Sequence, residues 1–252
     1  MKILARFFWA APMLRSAVRL LPNLQIASNI HTQMGVWPRL PSAASILLLA
    51  GNVGNPEHID VGGPQSMFKT PRHGKHLQVF LQDVSSRFDQ VVYVPGTSEY
   101  HTSGWTTRDE RHLELLNLVA QFPNVHLLDN STQLVADGRV EVVGSCLWAP
   151  GCETQHRICT GPHTTLDART MRVWHAAARE FLSSTIHSLY PPGVVARVIV
   201  THFAPPPFLR DLMPMVDLWV SGRARGAFDI DCTGLRWVCN PTSQPKVVYL
   251  DI

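Results

Sequence analysis

Six short segments concentrate the residues able to hold an ion or a phosphate: SNIH (Ser28 to His31), AGNVG (Ala50 to Gly54), VPGTSEYH (Val94 to His101), GSCLW (Gly144 to Trp148), VTHFAP (Val200 to Pro205) and VSGRARGAFD (Val220 to Asp229). His31 and His202 carry imidazole lone pairs and are the first-choice metal ligands in this set. Two histidines alone make a poor catalytic metal site, which usually takes three protein ligands and an open position. Asn29 and Asn52 offer amide oxygens that bring no negative charge to offset the dehydration of a dication. Arg223 and Arg225 are permanently protonated and have no lone pair, so they cannot ligate metal and instead suit paired contacts with phosphate oxygens. The hydroxyls of Thr97 and Ser98 and the two amides would add donors to such an anion. The glycine-rich turns from Gly51 to Gly54 and at Gly96 would leave backbone N–H groups open to it. The Ser98 hydroxyl titrates far too high to serve as a general acid near neutral pH.

Positioning these side chains falls to short apolar runs that end in small or polar turns, the pattern of buried strands that deliver loops to a site. Leu24 to Ala27, Ile46 to Ala50, Val91 to Val94, Val125 to Leu128, Val140 to Val143, Val198 to Val200 and Leu218 to Val220 each fit. Helices are expected over Gly74 to Phe88, Arg108 to Gln121, Ala168 to Leu189 and Pro207 to Met213, with Phe80, Val84 and Phe88 on one buried face of the first. Leu235 to Cys239, a turn at Asn240-Pro241 and Val247 to Leu250 read as strand, turn and final edge strand. Alternating strands and helices place the chain in the α/β class, and no repeat of solenoid length is present. The prolines at Pro205 to Pro207 and at Pro191-Pro192 are turns, not linkers.

The order and spacing of the six segments resemble the calcineurin-like metallophosphoesterases, whose counterparts typically read SDxH, GDxG, GNHE, a Gly-led strand ending near Trp, THxxP and GHxH. The resemblance runs from Leu24 to Pro241 and implies an α/β fold, a four-layer α/β/β/α sandwich with two mixed sheets whose loops converge on two metal ions. In its terms Asn29 stands at the first Asp, Asn52 at the metal-bridging Asp, Thr97 at the Asn ligand and Ser98 at the His that protonates the leaving group. Arg223 and Arg225 stand at two further His ligands, while His31 and His202 are retained and Glu99 keeps the Glu that is mostly structural in the family. A dimetal centre activates a hydroxide and clamps phosphate oxygens, and a neutral residue at the bridging position forfeits on the order of several kcal/mol of attraction. Two arginines with two asparagines nevertheless carry the same net charge as two divalent ions with two aspartates. The expectation is therefore a catalytically inactive homologue, with no catalytic residue and no cofactor, that acts as a phosphate or phospho-ligand binding or protein-interaction module. The alternative is a hydrolase, a metal-dependent phosphoesterase using a divalent ion such as Mn, Fe or Zn in a remodelled site around His31 and His202. The expected partner is a phosphorylated small molecule or protein.

With 252 residues, 45% of them hydrophobic and 16% charged, the chain can bury a full core, and the spread of segments from residue 28 to 229 argues for one domain over 24–252. Residues 1–23 form an N-terminal extension. It lacks Asp and Glu and carries Lys2, Arg6, Arg15 and Arg19, a composition compatible with organelle targeting, although Pro12 interrupts any long amphipathic helix. A net charge of +3 without a basic run gives no clear nucleic-acid signal, and no apolar run is long enough to span a bilayer. Five cysteines, an odd number, favour a reducing compartment, with the cytoplasm the expected location. The pairs Cys152/Cys159 and Cys232/Cys239 are spaced too widely for usual zinc ligands and read as buried thiols. His58, His73 and His76 read as solvated loop residues, Trp148 as core or pocket wall, and His163 and His175 carry no ligand spacing.

Overall fold

The structure is a computed structural model and describes residues 23–56, 73–102, 104–149, 158–205, 215–223, 226–232, 235–240 and 246–250. Strands β1 (Leu24–Ala27), β2 (Ile46–Ala50), β3 (Gln90–Val94) and β4 (Val125–Leu127) pair in parallel, and β13 (Lys246–Val248) closes the edge of this sheet antiparallel to β1. A second sheet runs in the order β11 (Phe228–Cys232), β12 (Leu235–Cys239), β10 (Leu218–Arg223), β9 (Ala196–Phe203), β6 (Val140–Ser145) and β5 (Ser131–Val135). Its four central strands are parallel and its two outer strands antiparallel. A small antiparallel pair, β7 (Cys159–Gly161) with β8 (Thr164–Thr165), falls between β6 and the helix α3 (Ala168–His187) in chain order.

The central strands of the two large sheets are mostly apolar on both faces because both faces are covered. Ile46, Leu48 and Ala50 of β2 point between the sheets, where they meet Val140, Val142, Val198, Val200, Leu218 and Val220. The alternate residues Leu47 and Leu49 pack outward against α1 (His73–Arg87) and α2 (Arg108–Val119) through Leu77, Phe80, Val84, Leu115 and Leu118. On the other side, Val143, Ile199 and Trp219 receive Ala178, Leu182 and Ile186 of α3. The layers are thus helix, sheet, sheet, helix, as the resemblance implies. The Phe80, Val84 and Phe88 face is buried, with Phe88 just beyond the end of α1.

Two local signals set helix starts. Thr107 accepts from Glu110 N while the Glu110 carboxylate accepts from Thr107 N, a reciprocal capping box that begins α2. Asp167 accepts from Thr170 N at the start of α3. His76 is not in a loop: it lies within α1, its ring 5.8 Å from Trp37. The helix expected over Pro207 to Met213 falls outside the described residues, as do His58 and the N-terminal extension up to residue 22.

Candidate functional site

Since the parallel strands of each sheet run the same way, their C-terminal turns gather at one end of the sandwich. The backbone there approaches closely enough to dictate residue type. A Cβ on Gly222 would sit 1.8 Å from the Ala50 carbonyl oxygen, and one on Gly51, where φ is +81°, would sit 2.4 Å from Nδ1 of His202. Asn29, His31 and Asn52 also take left-handed conformations, with φ of 49°, 52° and 55°. Asn tolerates this region best among non-glycine residues, and three such residues in neighbouring turns mark stored strain. The turns after β1 and β2 are laced by backbone bonds from Asn29 N to Gly51 O, His31 N to Asn52 O and Thr32 N to Val53 O.

The two asparagines bond to each other. Asn52 Nδ2 donates to Asn29 Oδ1 at 3.0 Å, and Asn29 Nδ2 donates to the Gly222 carbonyl at 2.8 Å and to Ser28 Oγ at 3.0 Å. Asn52 Oδ1 accepts from Ser98 N at 3.0 Å and from the Thr97 hydroxyl at 3.5 Å. This chain of amides links the turns after β1, β2 and β3 to the C-terminal end of β10. Both Asn29 amide protons are committed to protein acceptors, and so is the Thr97 hydroxyl.

The backbone N–H groups expected to be open to an anion already hold one. Glu99, fully buried, accepts from Val53 N at 2.6 Å, Gly96 N at 2.8 Å, Asn52 N at 3.2 Å and Gly54 N at 3.4 Å. Tyr93 Oη at 2.9 Å and Ser98 Oγ at 3.3 Å complete the set. The glycine-rich turns after β2 and β3 therefore form a nest whose occupant is internal, which corrects the expectation drawn from their sequence. The reason is adjacency: the Glu three residues beyond Gly96 folds back into the turn that created the nest.

His202 is buried, and its Nδ1 lies 3.1 Å from the Ala50 carbonyl oxygen. A carbonyl only accepts, so Nδ1 carries the proton and the lone pair belongs to Nε2. His31 is half-buried with Nδ1 3.2 Å from Nε2 of Gln33. Arg223 is half-buried at the end of β10, its guanidinium 5.1 Å from the centre of the Phe203 ring, which in turn lies 4.9 Å from the His202 ring. Asn29, Asn52, Thr97, Ser98 and His202 are thus joined by contacts through neighbouring turns, with Arg223 bordering His202 through Phe203. Arg225 lies outside the described residues. Among the described residues no group of three or more His, Cys, Asp or Glu gathers as an ion would require.

Beside this cluster lies a polar network that sequence reasoning missed. Tyr100, fully buried, donates to Asp129 Oδ2 at 3.2 Å and stands 3.0 Å from Nδ1 of His112. One phenolic proton cannot serve both, so His112 Nδ1 donates to Tyr100 and its lone pair rests on Nε2. Arg108 pairs with Asp129 and lies over the rings of Tyr100 at 5.1 Å and Trp174 at 5.4 Å. Burial opposes its charge, yet Tyr100 and Asp129 outweigh that and hold the guanidinium above its ordinary value. Burial pushes the Tyr100 phenol and the Cys146 thiol up and the His112 imidazole down. Arg108 and His112 share a face of α2 at i,i+4 spacing, but Tyr100, Asp129, Cys146 and Trp174 come from separate parts of the chain, so only the fold assembles the network. Trp148 is buried between Tyr100 and Trp174, a core role. His163 packs on Trp105, and Cys146, Cys159 and Cys239 are buried free thiols. Cys152 and the Cys232 side chain lie outside the described residues.

Solved structures share this architecture. Phosphopantetheinyl hydrolase (PptH) from Mycobacterium tuberculosis superposes with a TM-score of 0.55 at 15% identity, covering 92% of this chain and 97% of its own. TT1561 of Thermus thermophilus gives 0.52 at 12% identity, over 92% of this chain and 100% of its own. The fold is of the metallophosphoesterase type. At such identities the likeness concerns the fold alone. No family model matches the sequence. An uncharacterized protein of Acanthamoeba polyphaga mimivirus, L509, is 23% identical over 181 residues, which is 66% of this chain and 57% of that protein, so the chain spans little more than half of the relative's length. Within the metallophosphoesterase-type fold, the amide chain and the Glu99 nest lie at the C-terminal ends of the parallel strands, where the two sheets meet.

Proposed function

We propose that this chain is a metallophosphoesterase-type fold without metal catalysis, which holds a phosphate-bearing small molecule or protein partner through Arg223 and Arg225 beside His31 and His202. The observation that carries the reading is the Asn29–Asn52 amide pair. Asn29 donates to the Gly222 carbonyl, a contact that an unmetallated carboxylate could only oppose, and Asn52 Oδ1 is turned toward protein donors instead of outward. This donor set does not fit a pair of divalent ions, which would compete with those bonds for neutral oxygens. Because Glu99 fills the backbone nest, an external anion depends on side chains, and among those described the Arg223 guanidinium is the strongest candidate. The test is thermal unfolding with inorganic phosphate. Phosphate is expected to raise the midpoint of the unaltered protein and to leave that of the Arg223→Ala, Arg225→Ala double variant where it was. Equal stabilisation of both would sink the reading.

A second reading, a hydrolase with one ion near His31 and His202, is favoured by the hydrogen bond from His202 Nδ1 to Ala50 O. Such a bond fixes the tautomer and leaves the lone pair on Nε2, as outer partners of metal-bound histidines do. Elemental analysis showing about one metal per chain, lost in His202→Ala, would favour this reading over the first.

A further inference from the structure

Arg223 ends β10, and its register partner on the neighbouring strand β9 is Phe203. The pairing sets the guanidinium over the Phe203 ring, 5.1 Å from its centre. The preceding residue, Gly222, accepts from Asn29 Nδ2 through its carbonyl, so Arg223 leaves the sheet one residue from the amide chain. The ring is the fixed member of this pair. Phe203 is 4% exposed, against a half-buried Arg223, and packs with Tyr100, Cys146, Trp148 and Met171. Its backbone is held on both sides: Phe203 N donates to the Cys146 carbonyl at 3.3 Å, and the Phe203 carbonyl accepts from the Thr201 hydroxyl at 2.6 Å. Both holders are themselves anchored. Cys146 N donates to Asp129 Oδ1 at 3.3 Å, and Thr201 Oγ1 accepts from Trp219 Nε1 at 3.0 Å.

A rigid aromatic face attracts a cation through its quadrupole, and it engages the flat face of a guanidinium without using its in-plane N–H groups. A long side chain loses rotamer freedom when a ligand immobilises it, and a ring that already holds the chain removes part of that loss. We infer that Phe203 is a positioning residue for the anion site, its ring holding the Arg223 guanidinium beside the amide chain in the orientation that receives a phosphate. This rests on the phosphate-binding reading above and adds the group that prepares Arg223 for it.

Phe203→Leu removes the aromatic face but also disturbs packing. Replacing Phe203 by 3,4,5-trifluorophenylalanine in the full chain keeps the shape of the ring while withdrawing electron density from its face, so it weakens the hold on a cation alone. Titration calorimetry with inorganic phosphate should give about two- to fivefold weaker binding to the trifluoro protein than to the unaltered one, with a loss at least as large in Phe203→Leu. A ring that served packing only would be indifferent to the fluorines. Binding that needs Arg223, as shown by its loss in Arg223→Ala, yet is unchanged or tightened by the fluorines overturns the inference and leaves the phosphate reading standing. Phosphate that binds Arg223→Ala as well as the unaltered protein, or binds neither, removes the underlying reading, and the inference with it.

Discussion

An aspartate at position 29 would turn acceptor oxygens toward the Gly222 carbonyl and Ser28 Oγ, where the amide now donates. Asn29→Asp is therefore expected to cost about 1–3 kcal/mol in denaturant unfolding without added metal. A variant as stable as the parent would mean that the amide pair is incidental. Glu99 has more at stake, since truncation leaves four backbone N–H groups of neighbouring turns without their shared acceptor. Glu99→Ala should lose about 3–5 kcal/mol or fail to fold, against a negligible effect if solvent can replace the carboxylate. At this scale the sequence is an uneven guide. The positions of Asn29, Asn52, Thr97, Ser98 and His202 are legible from their segments, because each ends an apolar run. The direction of each hydrogen bond is not, and that direction turns Glu99 from a neighbour of the pocket into the occupant of its nest.

Between elements, the most consequential ion pair lies far from the site. Arg197 of β9 and Glu141 of β6 are register partners, both buried, with Nε donating to Oε2 at 2.7 Å. The same guanidinium donates to the carbonyls of Ile186 and Ser188 at 3.1 Å each, so it ties the C-terminal end of α3 to the centre of the second sheet. Glu141→Ala leaves that charge buried without its carboxylate and should cost about 3–5 kcal/mol, read from the denaturant midpoint. A loss under about 1 kcal/mol would show that the helix carbonyls alone satisfy Arg197. The strands that carry this pair are legible in sequence because, apart from Glu141 and Arg197, they read as short apolar runs covered on both faces. β5 and β11 escape that reading for the opposite reason. FDIDC alternates apolar and polar residues and STQLV opens on three polar ones, both on edge strands, so neither reads as an apolar run.

For the molecule as a whole, burial holds His112, His126 and His175 below the ordinary imidazole value. Their folded-state pKa values lie under the unfolded ones, so the neutral rings favour folding above about pH 6.5, and that stability is lost as pH falls below it through the folded values. Denaturant midpoints should therefore drop between pH 7.5 and 5.5, and His112→Asn, which keeps a donor for Tyr100 without a titrating ring, should flatten part of the fall. Asp229 acts lower on the scale: hydrogen bonds from Arg236 and Lys246 hold its carboxyl down to about 2. Its contribution is present above about pH 3.9 and vanishes as pH falls toward 2. The four-layer architecture follows from strand periodicity and helix faces, so the global fold is readable where the chemistry of its site is only partly so. That chemistry turns on whether the Asn29–Asn52 site performs metal-dependent hydrolysis. The direct measurement is turnover of bis(4-nitrophenyl) phosphate with and without manganese. No manganese-dependent hydrolysis is predicted; turnover that requires manganese and disappears in His202→Ala would contradict the proposed loss of metal catalysis.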